Sequence, residues 1–369
     1  MVFRLIVALV ALIFLSGCSN FGYYTQAVFG QMELLSARRG LADVVSDEAV
    51  SEKVKARIQL AQEILAFAED EIGLPVENTF TTYADIGRPY VVWNVFVAKS
   101  YSTKLETFCF PVAGCVGYKG FFDKNDAREF SETFQNSGFD TYLGGVAAYS
   151  SLGWFSDPLL NTFIHRSDEG LAALIFHELA HKILYVKDDT QFNESFATTV
   201  ERFALQKWLE SRGQDPAYVK YIEGQQRQAE VIELILQVRD KLELIYEDEK
   251  DEEEKVEEEK EEQEGVKQKH NDKSSPLMAQ NKADALALLR KDYQVLHDAW
   301  LEGNEFEFWM KNDINNAKLG AIGAYQGWVS NLTHLLESSE NFDAFILKAK
   351  ALGKLTPSVR EAALLDVRA

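Results

Sequence analysis

His177-Glu178-Leu179-Ala180-His181 sits inside a helical pattern and decides how the rest of the chain is read. On a helix the two histidines lie four residues apart, so their rings leave one face a turn apart and can share a metal ion. Glu178 lies beside them, placed to act on an attacking water rather than to bind the metal itself. Ser167 is a suitable N-cap for this helix, and Asp168 and Glu169 complement the dipole in its first turn. The pattern runs to about Val186. Lys187-Asp188-Asp189-Thr190 then reads as a turn, and a second helix is expected near Asn193.

A catalytic zinc site takes three protein ligands and leaves one position open. His177 and His181 supply two. Glu194, in Asn193-Glu194-Ser195-Phe196-Ala197, follows the turn closely enough to supply the third. Glu201 lies seven residues further on, within about 20° of the same helical face. Glu194 is therefore the expected ligand and Glu201 the group that orients a histidine ring, with the reverse assignment as the alternative. Such a set would polarise a peptide carbonyl and let Glu178 act as general base. The oxyanion needs a donor besides the metal, and Tyr149 in Ala148-Tyr149-Ser150-Ser151-Leu152 is the candidate, against a reading as a packed sheet aromatic. His165 reads as an exposed-loop or core residue, and His270, His297 and His334 lack acidic or histidine partners at ligand spacing.

The N-terminus reads as a targeting segment. Arg4 precedes the unbroken apolar run Leu5 to Leu15, too short to span a bilayer as a helix, which takes about 20 residues. The run ends in Leu15-Ser16-Gly17-Cys18, which resembles a bacterial lipobox. Cleavage before Cys18 would leave a lipidated cysteine holding the protein to a membrane, with an uncleaved signal anchor or an ordinary secretory signal as the alternatives. Ser19 in the next position favours the periplasmic face of the outer membrane by the same resemblance. In an oxidising compartment Cys109 and Cys115, six residues apart around Pro111 and Gly114, are expected to form a disulfide, with two small buried hydrophobes as the alternative.

The formal net charge of −20 in 369 residues is uneven, because residues 247 to 264 hold thirteen acids against three lysines. No basic stripe is present, so a nucleic-acid partner is not expected. Helical spacing predicts helices over 46–72, 126–137, 218–246 and 282–301. The last two form an expected antiparallel pair whose tip, 247–275, is a solvated, low-complexity acidic insertion. Strand patterns cover Thr79–Val97, Tyr118–Phe122 and Thr141–Leu152.

Beyond the pentad, Tyr23-Tyr24-Thr25-Gln26-Ala27, Cys109-Phe110-Pro111-Val112-Ala113-Gly114-Cys115 and Tyr118-Lys119-Gly120-Phe121-Phe122 resemble the bacterial family of predicted aminopeptidases. So do Ala148 to Phe155, Phe192-Asn193-Glu194-Ser195-Phe196-Ala197-Thr198, and Asn315-Asn316-Ala317-Lys318-Leu319 with Tyr325. The resemblance implies a gluzincin-type metallopeptidase, with zinc on His177, His181 and Glu194 and with Glu178 as base. The acidic insertion departs from it. The Gly-x-Met-Glu-Asn amine-binding motif of other gluzincin aminopeptidases is absent, so exopeptidase and endopeptidase action both stay open.

The expected fold is α+β and zincin-like, with one small mixed or antiparallel sheet packed on the motif helix and a mostly helical C-terminal half. Residues 1–17 are expected to be a lipoprotein signal peptide, 18–246 the catalytic region, 247–275 the insertion, and 276–369 a helical region completing the same domain. The expected function is zinc-dependent hydrolysis of peptide substrates at a bacterial membrane surface. The alternatives are a zinc-stabilised scaffold lipoprotein and a zinc amidase acting on cell-wall peptides.

Overall fold

In the computed structural model, which describes residues 18–110, 114–148, 156–213, 215–264, 276–300, 303 and 306–366, Cys18 opens helix α1 (Cys18–Ser36). Strand β1 (Arg38–Gly40) and helix α2 (Leu41–Ser46) follow. Helix α3 (Glu52–Phe67) ends in a π turn (Ala68–Ile72). The start of α3 is later than the spacing predicts. Ser51 caps it, accepting from the Val54 amide at 3.4 Å, while Asp47 accepts from the Ala49 amide at 2.9 Å and folds the preceding residues into a turn. These short side chains compete with helical bonding in the way their chemistry allows.

The strands are β2 (Thr82–Ala84), β3 (Val92–Lys99), β4 (Phe108–Phe110), β5 (Gly114–Val116) and β6 (Tyr118–Phe121). Helix α4 (Lys124–Gln135) precedes β7 (Phe139–Val146) and β8 (Leu159–Leu160). The expected strand Thr79–Val97 is thus two, interrupted where Gly87 takes a φ of 64° and Pro89 lacks an amide for a ladder. Among the described residues there are three small sheets rather than one, in the orders β1-β2-β8, β6-β3-β7 and β4-β5. The class is α+β, as the sequence suggests, but the strand content is divided.

From residue 168 onward every described element is helical. These are α5 (Asp168–Ile183), α6 (Thr190–Ser211), α7 (Asp215–Glu264), α8 (Pro276–Ala299), α9 (Glu307–Lys311), α10 (Asn316–Gln326), α11 (Val329–Glu337), α12 (Phe342–Gly353) and α13 (Pro357–Asp366). No helix among the described residues is long and apolar enough to cross a membrane.

The chain divides into two compact units, each built from several stretches. The first comprises Met1–Val95, Lys119–Phe130 and Leu143–Ile175. In it β2 pairs antiparallel with β1 and parallel with β8, and Ile58, Ile64, Leu159, Phe163 and Leu171 are buried. Arg57 of α3 donates to the carbonyls of Ile164 and Arg166, each at 2.9 Å, and pairs with Asp168. That fixes the first turn of α5, the helix carrying the pentad.

The second unit comprises Phe96–Tyr118, Ser131–Tyr142 and Phe176–Ala369. Its α7 and α8 bury Val231, Ile235, Val238, Leu242 and Tyr246 together with Leu286, Leu289 and Tyr293. Trp300, just past the end of α8, donates to Glu230 in the first third of α7 at 3.3 Å, whereas the start of α8 follows the far end of α7, so the pair is antiparallel. Helix α7 runs beyond Tyr246 through the acidic stretch to Glu264, since Glu and Lys are good helix formers. Helix α8 starts at Pro276 rather than 282, because proline's fixed φ suits the first helical position. The rest of the expected acidic tip, 265–275, lies outside the described residues.

Candidate metal centre

Ser167 caps α5, its hydroxyl accepting from the Gly170 amide at 3.1 Å. Along α5, Ile175, Phe176, Leu179 and Ala180 are fully buried, whereas Leu174, His177, Glu178 and His181 form a half-buried stripe at helical spacing. One face of the helix therefore anchors it and the adjoining face presents the motif.

The helix stops at Ile183, short of Val186, and the cause is a side chain. Asn193 accepts from the Val186 amide and donates to the Val186 carbonyl, both at 2.7 Å, so Val186 is paired with α6 instead of with its own helix. Asn193 is only 2% exposed. Its amide mimics a strand partner and closes the loop between the two helices. For the same reason α6 begins at Thr190, not near Asn193. Asp189 is its cap and accepts from the Phe192 amide at 2.9 Å.

Three further contacts hold this loop. Arg360 of α13 donates from Nε and Nη2 to Asp189, at 2.9 and 2.7 Å. Its Nη1 reaches the carbonyls of Leu352, Gly353 and Leu355 at the end of α12. Asp188, at a φ of 67°, accepts from the Cys115 amide at 2.5 Å and so ties the β4–β5 hairpin to the same loop. That hairpin pairs Cys109 with Cys115, and the two are disulfide-bonded.

The outcome is a convergence of side chains. His177 Nε2 lies 3.4 Å from one oxygen of Glu194, and His181 Nε2 lies 3.8 Å from the other. The rings of His177 and His181 are edge to face with centroids 4.9 Å apart. Glu201 Oε2 stands 3.0 Å from His177 Nδ1. One ligand atom from each of His177, His181 and Glu194 can be chosen so that all lie within 4.8 Å of one another. A tetrahedral zinc with bonds of about 2.1 Å would place its ligand atoms about 3.4 Å apart. Two imidazoles and a carboxylate at these separations fit such an ion. With Glu201 accepting from Nδ1–H, His177 keeps its Nε2 lone pair for the metal.

The electrostatics are those of a cation site. Burial acts to lower the pKa of His177, but the carboxylates of Glu194 and Glu201 outweigh it and hold the pKa well above the ordinary histidine value. Burial pushes His181 down to about 4, against the pull of Glu194 and assisted by His177. Burial acts to raise Glu194, yet the His177 hydrogen bond and the two imidazoles bring it below the usual carboxylate value. The cluster favours a proton on His177, which a metal ion bound there would displace.

The structure thus brings together His177, His181, Glu194 and Glu201, with Glu178 on the same half-buried stripe. Tyr149 and the lipobox residues Leu15, Ser16 and Gly17 lie outside the described residues. His165 is exposed, and His297 packs among Tyr293 and Trp300. Asn193, Asp189 and Arg360 were not singled out from sequence as positioning groups. The available signal was an asparagine directly before the expected ligand. A family model described as "Putative aminopeptidase" matches residues 22–364. No curated protein and no solved structure matches the chain significantly.

Proposed function

Because the chain belongs to the family described as "Putative aminopeptidase", we propose that it is a zinc-dependent peptidase whose metal is held by His177, His181 and Glu194 in a zincin-like arrangement. The observation that carries the reading is the convergence of these three side chains within 4.8 Å, with a fourth, Glu201, bonded to the outer nitrogen of His177. Bound zinc would acidify water and polarise the scissile carbonyl. Glu178 takes the proton of the attacking water and delivers it to the leaving amine. Glu201 keeps the His177 ring in one tautomer and orientation. The chain is further proposed to be lipidated on Cys18 and held at the periplasmic face of the outer membrane.

The test is hydrolysis of a peptide library with and without a chelator, alongside Glu178→Gln. That variant is expected to keep about one zinc while losing about 10²- to 10⁴-fold in activity, the range for a general base. Full activity in Glu178→Gln would overturn the mechanism, and a zinc-loaded wild type without any hydrolysis would favour a scaffold. Peptides with an acetylated N-terminus separate the two peptidase modes: an aminopeptidase spares them, an endopeptidase does not.

A further inference from the structure

Helix α1 turns two glutamines inward and leaves a cluster of large apolar side chains exposed. Its inward face is set by Gly30, which is buried so closely on Phe122 that a Cβ there would overlap the ring. Flanking Gly30 on that face, Gln26 accepts from the Phe122 amide at 3.0 Å. The side-chain amide of Gln31 is buried with neither atom hydrogen-bonded among the described residues. Val28 and Met32 lie about 160° around the helix from Gly30. They are 57% and 58% exposed, and Phe29 and Tyr24 beside them are 66% and 43% exposed. Leu34, one turn after Gly30, is buried on the inward side, but these two glutamines share it while Tyr24, Val28, Phe29 and Met32 face outward. The one charged residue of the helix, Glu33, is taken up by Arg88, whose Nη1 donates to both carboxylate oxygens at 2.8 and 2.9 Å.

An outward apolar face on a helix with one neutralised charge needs a covering. The sequence says what lies next to it. The apolar run Leu5 to Leu15 ends three residues before Cys18, where α1 begins. A lipid on Cys18 or a retained apolar run would each put a group that partitions into hydrocarbon directly before α1. We propose that the Tyr24, Val28, Phe29 and Met32 face lies on a phospholipid bilayer, with α1 parallel to the surface at the boundary of headgroups and acyl chains. An apolar helical face buried there adds to an anchor that is marginal when it is a single chain. The proposal rests on the N-terminal sequence and is independent of the metal chemistry.

The test uses the full chain reconstituted into phosphatidylethanolamine–phosphatidylglycerol vesicles, with nitroxide labels at Phe29→Cys, Met32→Cys or, for comparison, the exposed Leu347→Cys. Labels at 29 and 32 are expected to be relaxed more by dissolved oxygen than by a water-soluble nickel chelate, and the label at 347 the reverse. Nickel accessibility at 29 and 32 equal to that at 347 overturns the proposal. Protection accompanied by spin–spin broadening that disappears on dilution with unlabelled chain also overturns it, because a second copy would then cover the face. Fatty-acid labelling of the same samples reports on Cys18 separately, so absence of lipidation and absence of docking are read apart.

Discussion

His177 stands between two carboxylates two helical turns apart on α6: Glu201 Oε2 is 3.0 Å from its Nδ1, and Glu194 Oε2 is 3.4 Å from its Nε2. The two acids share a face, but among the described contacts only Glu194 also approaches His181, which is why it is the proposed ligand. Glu194→Ala is expected to remove most bound zinc. Glu201→Ala is expected to weaken zinc affinity by about 10- to 100-fold, the usual cost of losing a group that orients a metal-binding histidine. Metal analysis of both purified variants decides it, and near-complete loss in Glu201→Ala alone would exchange the assignments.

Asn193 precedes the proposed ligand, Glu194, and holds the loop before it. Asn193→Ala would leave the Val186 amide and carbonyl without their buried partner, at a cost of about 1–3 kcal/mol. Since Glu194 is the next residue, zinc affinity should fall together with the melting temperature. Asn193→Asp keeps the acceptor for the Val186 amide but sets a carboxylate against the Val186 carbonyl, so it should not rescue. A lowered melting temperature with unchanged zinc affinity, measured by chelator competition, would reduce Asn193 to an ordinary structural residue.

What could be read from sequence and what could not divide by range. The Ser167 cap and the common face of His177 and His181 are local, fixed within a few residues by helical geometry. The antiparallel α7–α8 pair was visible because each stripe is long. Strands β1 and β8, of three and two residues, carry no periodicity of their own and exist only through distant pairing with β2. The end of α5 was misplaced because a side chain seven residues away captures Val186, and no propensity records that. Arg360 lies 171 positions from the aspartate it clamps, so its part in the site appears only in the fold.

That clamp is expected to matter to stability. The side chain of Arg360 is 4% exposed and that of Asp189 is 19% exposed. Removing one member of a buried pair leaves the other uncompensated, typically at about 3–5 kcal/mol. Arg360→Ala should fall in that range, and Arg360→Lys should recover little, because an ammonium cannot reproduce the planar fork that serves Asp189 and three carbonyls at once. Hydrogen exchange at the Phe192 amide, which Asp189 caps, is the specific reporter. Unchanged protection there in Arg360→Ala would mean the loop is held without the clamp.

The β4–β5 hairpin tests how far the disulfide reaches. Each strand has three residues, and an isolated hairpin of that size is marginal in water. The Cys109–Cys115 bond closes the hairpin, and the Cys115 amide on Asp188 ties it to the α5–α6 loop. A cross-link closing so short a loop contributes about 2 kcal/mol, chiefly by restricting the open state. Replacing both cysteines by serine should therefore open the hairpin locally and speed proteolytic nicking within 108–116, with a smaller change in the melting temperature of the whole chain. Asp188→Ala should produce nicking of the same segment with the disulfide intact. The zinc affinity of both variants should fall less than that of Asn193→Ala, because Asn193 closes the loop directly while the hairpin only leans on it. Equal losses in all three would mean that the hairpin, and not the asparagine, sets the position of Glu194.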